Sequence, residues 1–511
     1  MKLSIRLILV FLSGILSLTP LLAKPVPDAL FGDHAVLQAD AAVPVRGQAT
    51  PGESLTLRYA QAEVRGQADA QGRWELTIPP LPSGTQGDLL IIGADGRAVS
   101  HDVIVGDVWL LSGQSNIEWT LKKSDNALAD IAAADFPQIR HFKVPVKSSA
   151  DPVDVAAGQW EVCTPQAAGA FSAIGYYLAR DLWQATGRPQ GLVNATKGGT
   201  RIRMWVNDAL SPRSPALEKI VADYDKADAD YPGAYAQWQH DLAAWDSAKA
   251  DAEKQGKPFK AKKPQAPLGG PEAKGKPGSL YNAMVQPVLG IPYRAVIWYQ
   301  GEANVGNAKD YGVLLRDLIT GWRQAALQPD LPFVIYQLPN FGKMETTGLP
   351  WPLIREGQAE AAAALPDTYL VVSIDVSKDL PNIHPRNKAD FAERLSRVIL
   401  RDFYGKSVAA SGPRIVGVEP VGDAMRVTLD TMDGVVLREN PQAGVAFELS
   451  GEDHVFYPAQ ASLENGELLV RSEQVAHPVE LRYAFRICPV SILYNKAGLP
   501  AEPYRTDNFT H

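Results

Sequence analysis

Apolar side chains fall on every second residue in short runs across residues 24–105. Leu55-Thr56-Leu57-Arg58-Tyr59 and Trp74-Glu75-Leu76-Thr77-Ile78 carry the period of a half-buried strand. Turn signals at Pro51-Gly52, Gln71-Gly72 and Ala94-Asp95-Gly96 separate such runs. From about 106 the pattern becomes strand and helix in alternation, with strands predicted over 107–112, 190–196, 294–300, 332–338 and 368–375. Helices are predicted over 173–186, 309–326, 354–364 and 386–403. Strands this apolar are buried on both faces, as in a parallel sheet flanked by helices.

Two stretches depart from this alternation. Residues 206–278 read as an insertion, helical and polar at first, with Trp238 and Trp245 seven apart on one helix face. Its second part, Lys254 to Pro277, holds seven lysines among prolines and glycines and reads as an exposed, mobile loop. From about 406 the chain returns to β, in segments such as Met425-Arg426-Val427-Thr428-Leu429 and Leu481-Arg482-Tyr483-Ala484-Phe485. The expected organisation is an α/β domain at 106–405 between β regions at 24–105 and 406–511. The two β regions are expected to pack together as one sandwich into which the α/β domain is inserted, with two separate β modules as the alternative.

Composition narrows the class. At 511 residues more than one core is expected. A net charge of −7, with no basic patch interleaved with aromatics, argues against nucleic acid as a partner. Residues 1–23 carry Lys2 and Arg6, the apolar run Leu7 to Leu16, and small residues up to Ala23. That layout is a secretory signal peptide, so the mature chain is expected to be periplasmic or secreted and free of membrane. Cys163 and Cys488 are the only cysteines, and their pairing stays open at this level. Oligomeric state is not written in the sequence.

The chemistry collects where strands end. Gly113-Gln114-Ser115-Asn116 follows the strand at 107–112, Gly198-Gly199-Thr200 follows 190–196, and Gln300-Gly301-Glu302 follows Trp298-Tyr299. Loops at the carboxyl edge of a parallel sheet are where ligands bind. A serine hydroxyl needs a base, and His384 is the candidate, with Pro385 expected at the first position of the late helix. An oxyanion needs two or three fixed donors. The Ser115 N–H, the N–H of Gly198 or Gly199, and the Gln300 side-chain amide are the candidates. Arg201, Arg203 and Trp205 follow the Gly-Gly-Thr turn, and Asn116, Trp119 and Asn304 adjoin the other blocks. Asn116, Arg201, Trp205 and Asn304 are the candidate substrate contacts.

These blocks resemble the sialate O-acetylesterase-like carbohydrate esterases of the SGNH hydrolase superfamily. The resemblance runs from Leu30-Phe31-Gly32-Asp33-His34 through Gly106 to Trp119 and Trp298 to Asn304, and ends at Asn495-Lys496-Ala497-Gly498-Leu499-Pro500. It implies a three-layer α/β/α parallel-sheet hydrolase domain with flanking β-sandwich-like regions. It also implies Ser115 as nucleophile, His384 as base, and Ser115, Gly199 and Gln300 as the oxyanion hole. The implied reaction is removal of O-acetyl groups from sugars, with no metal or organic cofactor. The substrate would be acetylated hemicellulose oligosaccharide, such as xyloglucan or xylan, or O-acetyl sialic acid. One departure concerns the group that orients the base: Pro381 stands where many SGNH enzymes place an aspartate. Glu302, Asp379 and a backbone carbonyl near Asn382 are the candidates for that role. A non-catalytic glycan-binding protein on a decayed scaffold is the competing class, and the intact serine, glycine, glutamine and histidine positions argue against it.

Overall fold

The computed structural model describes residues 24–509 except 95, 327, 344–347, 431–433 and 440–444. The candidate signal segment lies outside the described residues. The N-terminal region is two small sheets. One orders Val26–Pro27, Val43–Gln48 and Arg73–Ile78; the other pairs Ser54–Tyr59 with Ala62–Gln67 and Gln86–Gly93. The alternation in the sequence is reproduced in the burial: Leu55, Leu57, Tyr59, Trp74, Leu76 and Ile78 all point inward.

Strand β1, Gly96–Gly113, is 18 residues long and belongs to both regions. Its first half pairs antiparallel with Gln86–Gly93. Its second half is the centre of a parallel sheet whose other strands are β2 (Phe136–Lys143), β3 (Gln190–Thr196), β4 (Ala295–Tyr299), β5 (Phe333–Tyr336) and β6 (Thr368–Val371). The boundary expected between 105 and 106 therefore falls inside one continuous strand. The order is β2-β3-β1-β4-β5-β6, with Trp160–Cys163 antiparallel on the outer edge of β2. Val108, Trp109, Leu110 and Leu111 are wholly buried, as a strand covered on both faces requires.

The connecting helices are α1 (Ala173–Thr186), α2 (Pro215–Ala229), α3 (Tyr231–Lys254), α4 (Tyr311–Ala325), α5 (Pro350–Ala364) and α6 (Lys388–Asp402). α1 packs on α6, and α4 on α5. Ser172 caps α1 by accepting from the Gly175 N–H, and Gly187 closes it at φ +69°. The late helix opens at Lys388, not at Pro385, so His384 sits in the loop ahead of it. Asn387 stands at the N-cap position without a side-chain capping hydrogen bond, and its amide donates to the Val376 carbonyl and the Asp390 carboxylate.

One expectation is corrected, that of a shared sandwich. The lysine-rich part of the insertion is an exposed loop without regular structure over 257–267, and it folds back along α3. Trp238 and Trp245 donate their indole N–H groups to the Pro264 and Ala261 carbonyls at 3.2 and 2.9 Å. The C-terminal strands do not join the N-terminal strands in one sandwich. They form their own seven-stranded sheet, with a core around Phe447, Leu449, Leu481 and Tyr483 separate from the main one. The reason is where each region is attached. One N-terminal sheet continues into β1 through Gln86–Gly93, whereas the C-terminal sheet docks beside α5. There the buried Arg355 guanidinium donates to the Leu338 and Pro339 carbonyls on one side and the Arg486 and Ile487 carbonyls on the other. Cys163 and Cys488 are both buried, and no disulfide joins them.

Candidate active site

The chain adds β2 and β3 on one side of β1 and then β4 to β6 on the other. The crevice at such a reversal, beyond the carboxyl ends of the strands, is the binding position of open α/β sheets. Register brings the three sequence blocks together there. Gly113 pairs with Thr196 of β3 on one side and with Tyr299 of β4 on the other. At Gly113 φ is +131°, and a Cβ would lie 2.1 Å from the Tyr299 carbonyl oxygen, so only glycine lets the strands close. The Gln114 N–H then donates to that carbonyl at 3.0 Å, and a single helical turn, Ser115–Glu118, begins.

Ser115 and His384 meet across 269 positions of sequence, with Oγ and Nε2 2.8 Å apart. For Nε2 to accept the hydroxyl proton, the ring must carry its own proton on Nδ1. The His384 backbone N–H donates to the Asn382 side chain at 3.0 Å, and the ring stacks on Trp119 at 5.4 Å between centroids. Partial burial lowers the His384 pKa from 6.5, and the nearby Lys388 and Lys123 ammonium groups lower it further.

Neither candidate carboxylate reaches the imidazole. The buried Glu302 accepts from Asn116 Nδ2 at 2.6 Å, and Asp379 is exposed. Among the described residues, no carboxylate is hydrogen-bonded to His384. Asn116 is instead the hub of a buried cluster. Its Nδ2 also donates to the Ile383 carbonyl at 3.0 Å, and its Oδ1 accepts from Lys388 Nζ at 2.6 Å. Burial raises the Glu302 pKa against the pull of Asn116 and Lys388. It lowers that of Lys388 to about 7, with Glu302 opposing.

On the oxyanion side, Gly198 lies directly against Ser115, where a Cβ would come within 3.3 Å of the serine Cβ. Its N–H is already taken by Glu118 Oε2 at 2.7 Å. Gly199 has φ +70°, and among the described residues no protein acceptor meets its N–H. The Gln300 amide is not presented to the crevice. Its Nε2 is buried among three acceptors, Gln114 Oε1 at 3.0 Å, the Thr200 carbonyl at 3.0 Å and Asn304 Oδ1 at 2.8 Å. It ties the three loops together from behind.

Three of the four candidate substrate contacts are also in that back wall. Asn116 is the hub just described, and Asn304 Oδ1 accepts from the Ile202 N–H at 3.0 Å. Trp205 is fully buried, its indole N–H on Thr200 Oγ1 at 2.9 Å and its ring edge-on to Trp298. Arg201 is exposed. Glu118 and Lys388 were missed in the sequence. The one available signal for Glu118 was its position three residues after Ser115, on the same helical turn.

A family model described as carbohydrate esterase, sialic acid-specific acetylesterase matches residues 268–401. Among solved structures, a carbohydrate acetylesterase from Xanthomonas citri is 31% identical. That match covers 95% of this chain and 100% of the other, with a TM-score of 0.78. The chain belongs to the sialate O-acetylesterase-like family of carbohydrate O-acetylesterases. Sialate O-acetylesterases of this family from Rattus norvegicus and Homo sapiens are each 25% identical. The matches span 94% and 92% of this chain and 93% and 90% of theirs. The similarity to these esterases thus takes in the flanking β regions together with the central sheet.

Proposed function

We propose that this carbohydrate O-acetylesterase cleaves its ester with Ser115 as nucleophile and His384 as sole general base, on an SGNH-type three-layer domain. The observation that carries this reading is the 2.8 Å contact between Ser115 Oγ and His384 Nε2 at the strand-reversal crevice. His384 takes the serine proton as Oγ attacks the acetyl carbonyl, and the N–H groups of Ser115 and Gly199 receive the oxyanion. His384 then protonates the departing sugar oxygen, leaving acetyl-Ser115. Water, deprotonated by the same ring, releases acetate and restores the serine. Lys388, Lys123 and burial favour the neutral ring, which is the form a base needs. Stacking on Trp119 orients the ring, and Asn382, accepting from the His384 backbone N–H, holds the loop that carries it.

The substrate is an O-acetylated glycan, either acetylated xyloglucan or xylan oligosaccharide or O-acetyl sialic acid. Arg201, exposed at the turn after Gly199, suits the carboxylate of an acidic sugar. With the signal segment removed, the enzyme acts in the periplasm or outside the cell. The test is acetate release by the wild type and Ser115→Ala from acetylated xyloglucan oligosaccharides, 9-O-acetyl sialic acid and a small aryl acetate. Release that vanishes in the variant supports Ser115, and the preferred glycan identifies the substrate. No release from any of the three by the wild type overturns the reading.

A further inference from the structure

Lys388 opens α6, yet its side chain is wholly buried. A buried ammonium is costly, and packing alone would be better served there by an apolar residue. Its Nζ donates to Asn116 Oδ1 at 2.6 Å and lies over the rings of Trp119 and Phe391, 5.9 and 5.1 Å from their centroids. Both principal contacts lead to His384. Asn116, held by Lys388 at one end, uses the other to grip the Ile383 carbonyl, one residue before the histidine. Trp119, touched by Lys388, carries the imidazole stacked against it.

We propose that Lys388 is a positioning residue for ester cleavage, bracing His384 against Ser115 through Asn116 and Trp119. The inference rests on the reading of Ser115 and His384 as the reacting pair. Lys388 acts on where the loop 382–384 sits and on the charge the imidazole meets; it touches neither reacting atom. The titratable and charged groups that share its surroundings are Glu302 from the loop after β4, His384 itself, and Lys123 from the segment after the Ser115 turn, which lies over the same Trp119 ring. Lys388 titrates at about 7 and is therefore an ammonium on the acidic side of neutrality, where protonation of His384 would stop the reaction. Removing its charge moves the acid limb of the pH profile upward, an effect that mere packing does not produce.

The experiment compares full-length wild type, Lys388→Met, Lys388→Gln and Ser115→Ala on an aryl acetate, with thermal unfolding recorded for each. Lys388→Met is expected to lose about tenfold or more in kcat, the scale of a misplaced catalytic group. KM is expected to stay within about twofold, since ground-state binding is untouched. The acid limb of kcat/KM is expected to move to higher pH. Lys388→Gln keeps a polar end without charge; it shifts the limb in the same direction and carries the test if the methionine variant does not fold. A folded variant with wild-type kcat, or a loss in kcat with an unmoved acid limb, overturns the proposal. Activity surviving in Ser115→Ala overturns the underlying assignment of the reacting pair. A dead Ser115→Ala beside a wild-type-like Lys388 variant overturns only the role of Lys388.

Discussion

Glu302 and Asn116 are joined by a 2.6 Å hydrogen bond, and that bond, not a contact with His384, is where the buried carboxylate is engaged. On the proposed reading, His384 then acts as the second member of a dyad. Glutamine at 302 keeps an oxygen for Asn116 to donate to. Glu302→Gln is expected to lower kcat/KM by less than about tenfold, against the roughly 10⁴-fold fall in kcat when the orienting carboxylate of a triad is neutralised. Asp379→Asn is expected to be silent. Steady-state kinetics on an aryl acetate checks both, and a loss near the triad value in either variant would restore a carboxylate to the mechanism.

The pH profile follows from the charges around His384. On the proposed mechanism the ring works as a neutral base, so protonation inactivates it. A depressed pKa keeps it neutral further into acid. The acid limb of kcat/KM is expected below 6.5, the ordinary value for histidine. Lys123 is exposed and contributes to that depression. Lys123→Gln is expected to raise the limb slightly, and added salt should shrink the difference. A wild-type limb above 6.5 would contradict the arrangement.

Gln300 offers a separation of roles. As an oxyanion donor, its loss would cut kcat and leave stability alone. As the tie between Gln114, Thr200 and Asn304, its loss strands buried acceptors. Gln300→Leu is therefore expected to destabilise the fold by about 3 kcal/mol while also lowering kcat. Chemical denaturation beside kinetics reads both.

What the sequence disclosed was periodicity and the strand-end blocks. Helix α1 and strand β3 fall on their expected residues, because Gly, Ser and apolar spacing act locally. Strand β2 went unseen: Phe136-Pro137-Gln138-Ile139-Arg140-His141-Phe142-Lys143 looks too polar for a core. In the fold, Arg140 is buried against Asp102 and His141 against Asn194 and Phe171, partners that no local pattern reveals. The same holds at the site. Ser115 and His384 announce their chemistry by residue type, whereas Lys388 and Asn116 lie 272 residues apart and become a cluster only once α6 docks. Trp205 and Asn304 were misread as cleft residues because closeness in sequence to a reactive block does not say which way a side chain turns.

Arg201 and Trp205 should therefore part company on mutation. Arg201→Ala is expected to leave stability within about 0.5 kcal/mol, as for an exposed residue. It should raise KM for an acidic acetylated sugar and leave KM for a neutral one unchanged. Trp205→Ala is expected to cost about 3–5 kcal/mol of stability by emptying a core site. Thermal unfolding and KM on paired acidic and neutral substrates check the contrast.

Strand β1 carries a constraint of its own. Its 18 residues span on the order of 60 Å, and their alternation is reset once, at a bulge between Ser100 and Val103 where Asp102 takes φ +55°. Side chains two apart share a face, so one residue inserted or deleted between 103 and 113, beyond that bulge, would turn the end of the strand that leads to Ser115 inside out relative to its start. Beyond that bulge the N-terminal sheet and Ser115 are geared to a single count, and evolution can change the length of that stretch only by residues in pairs or by a second bulge.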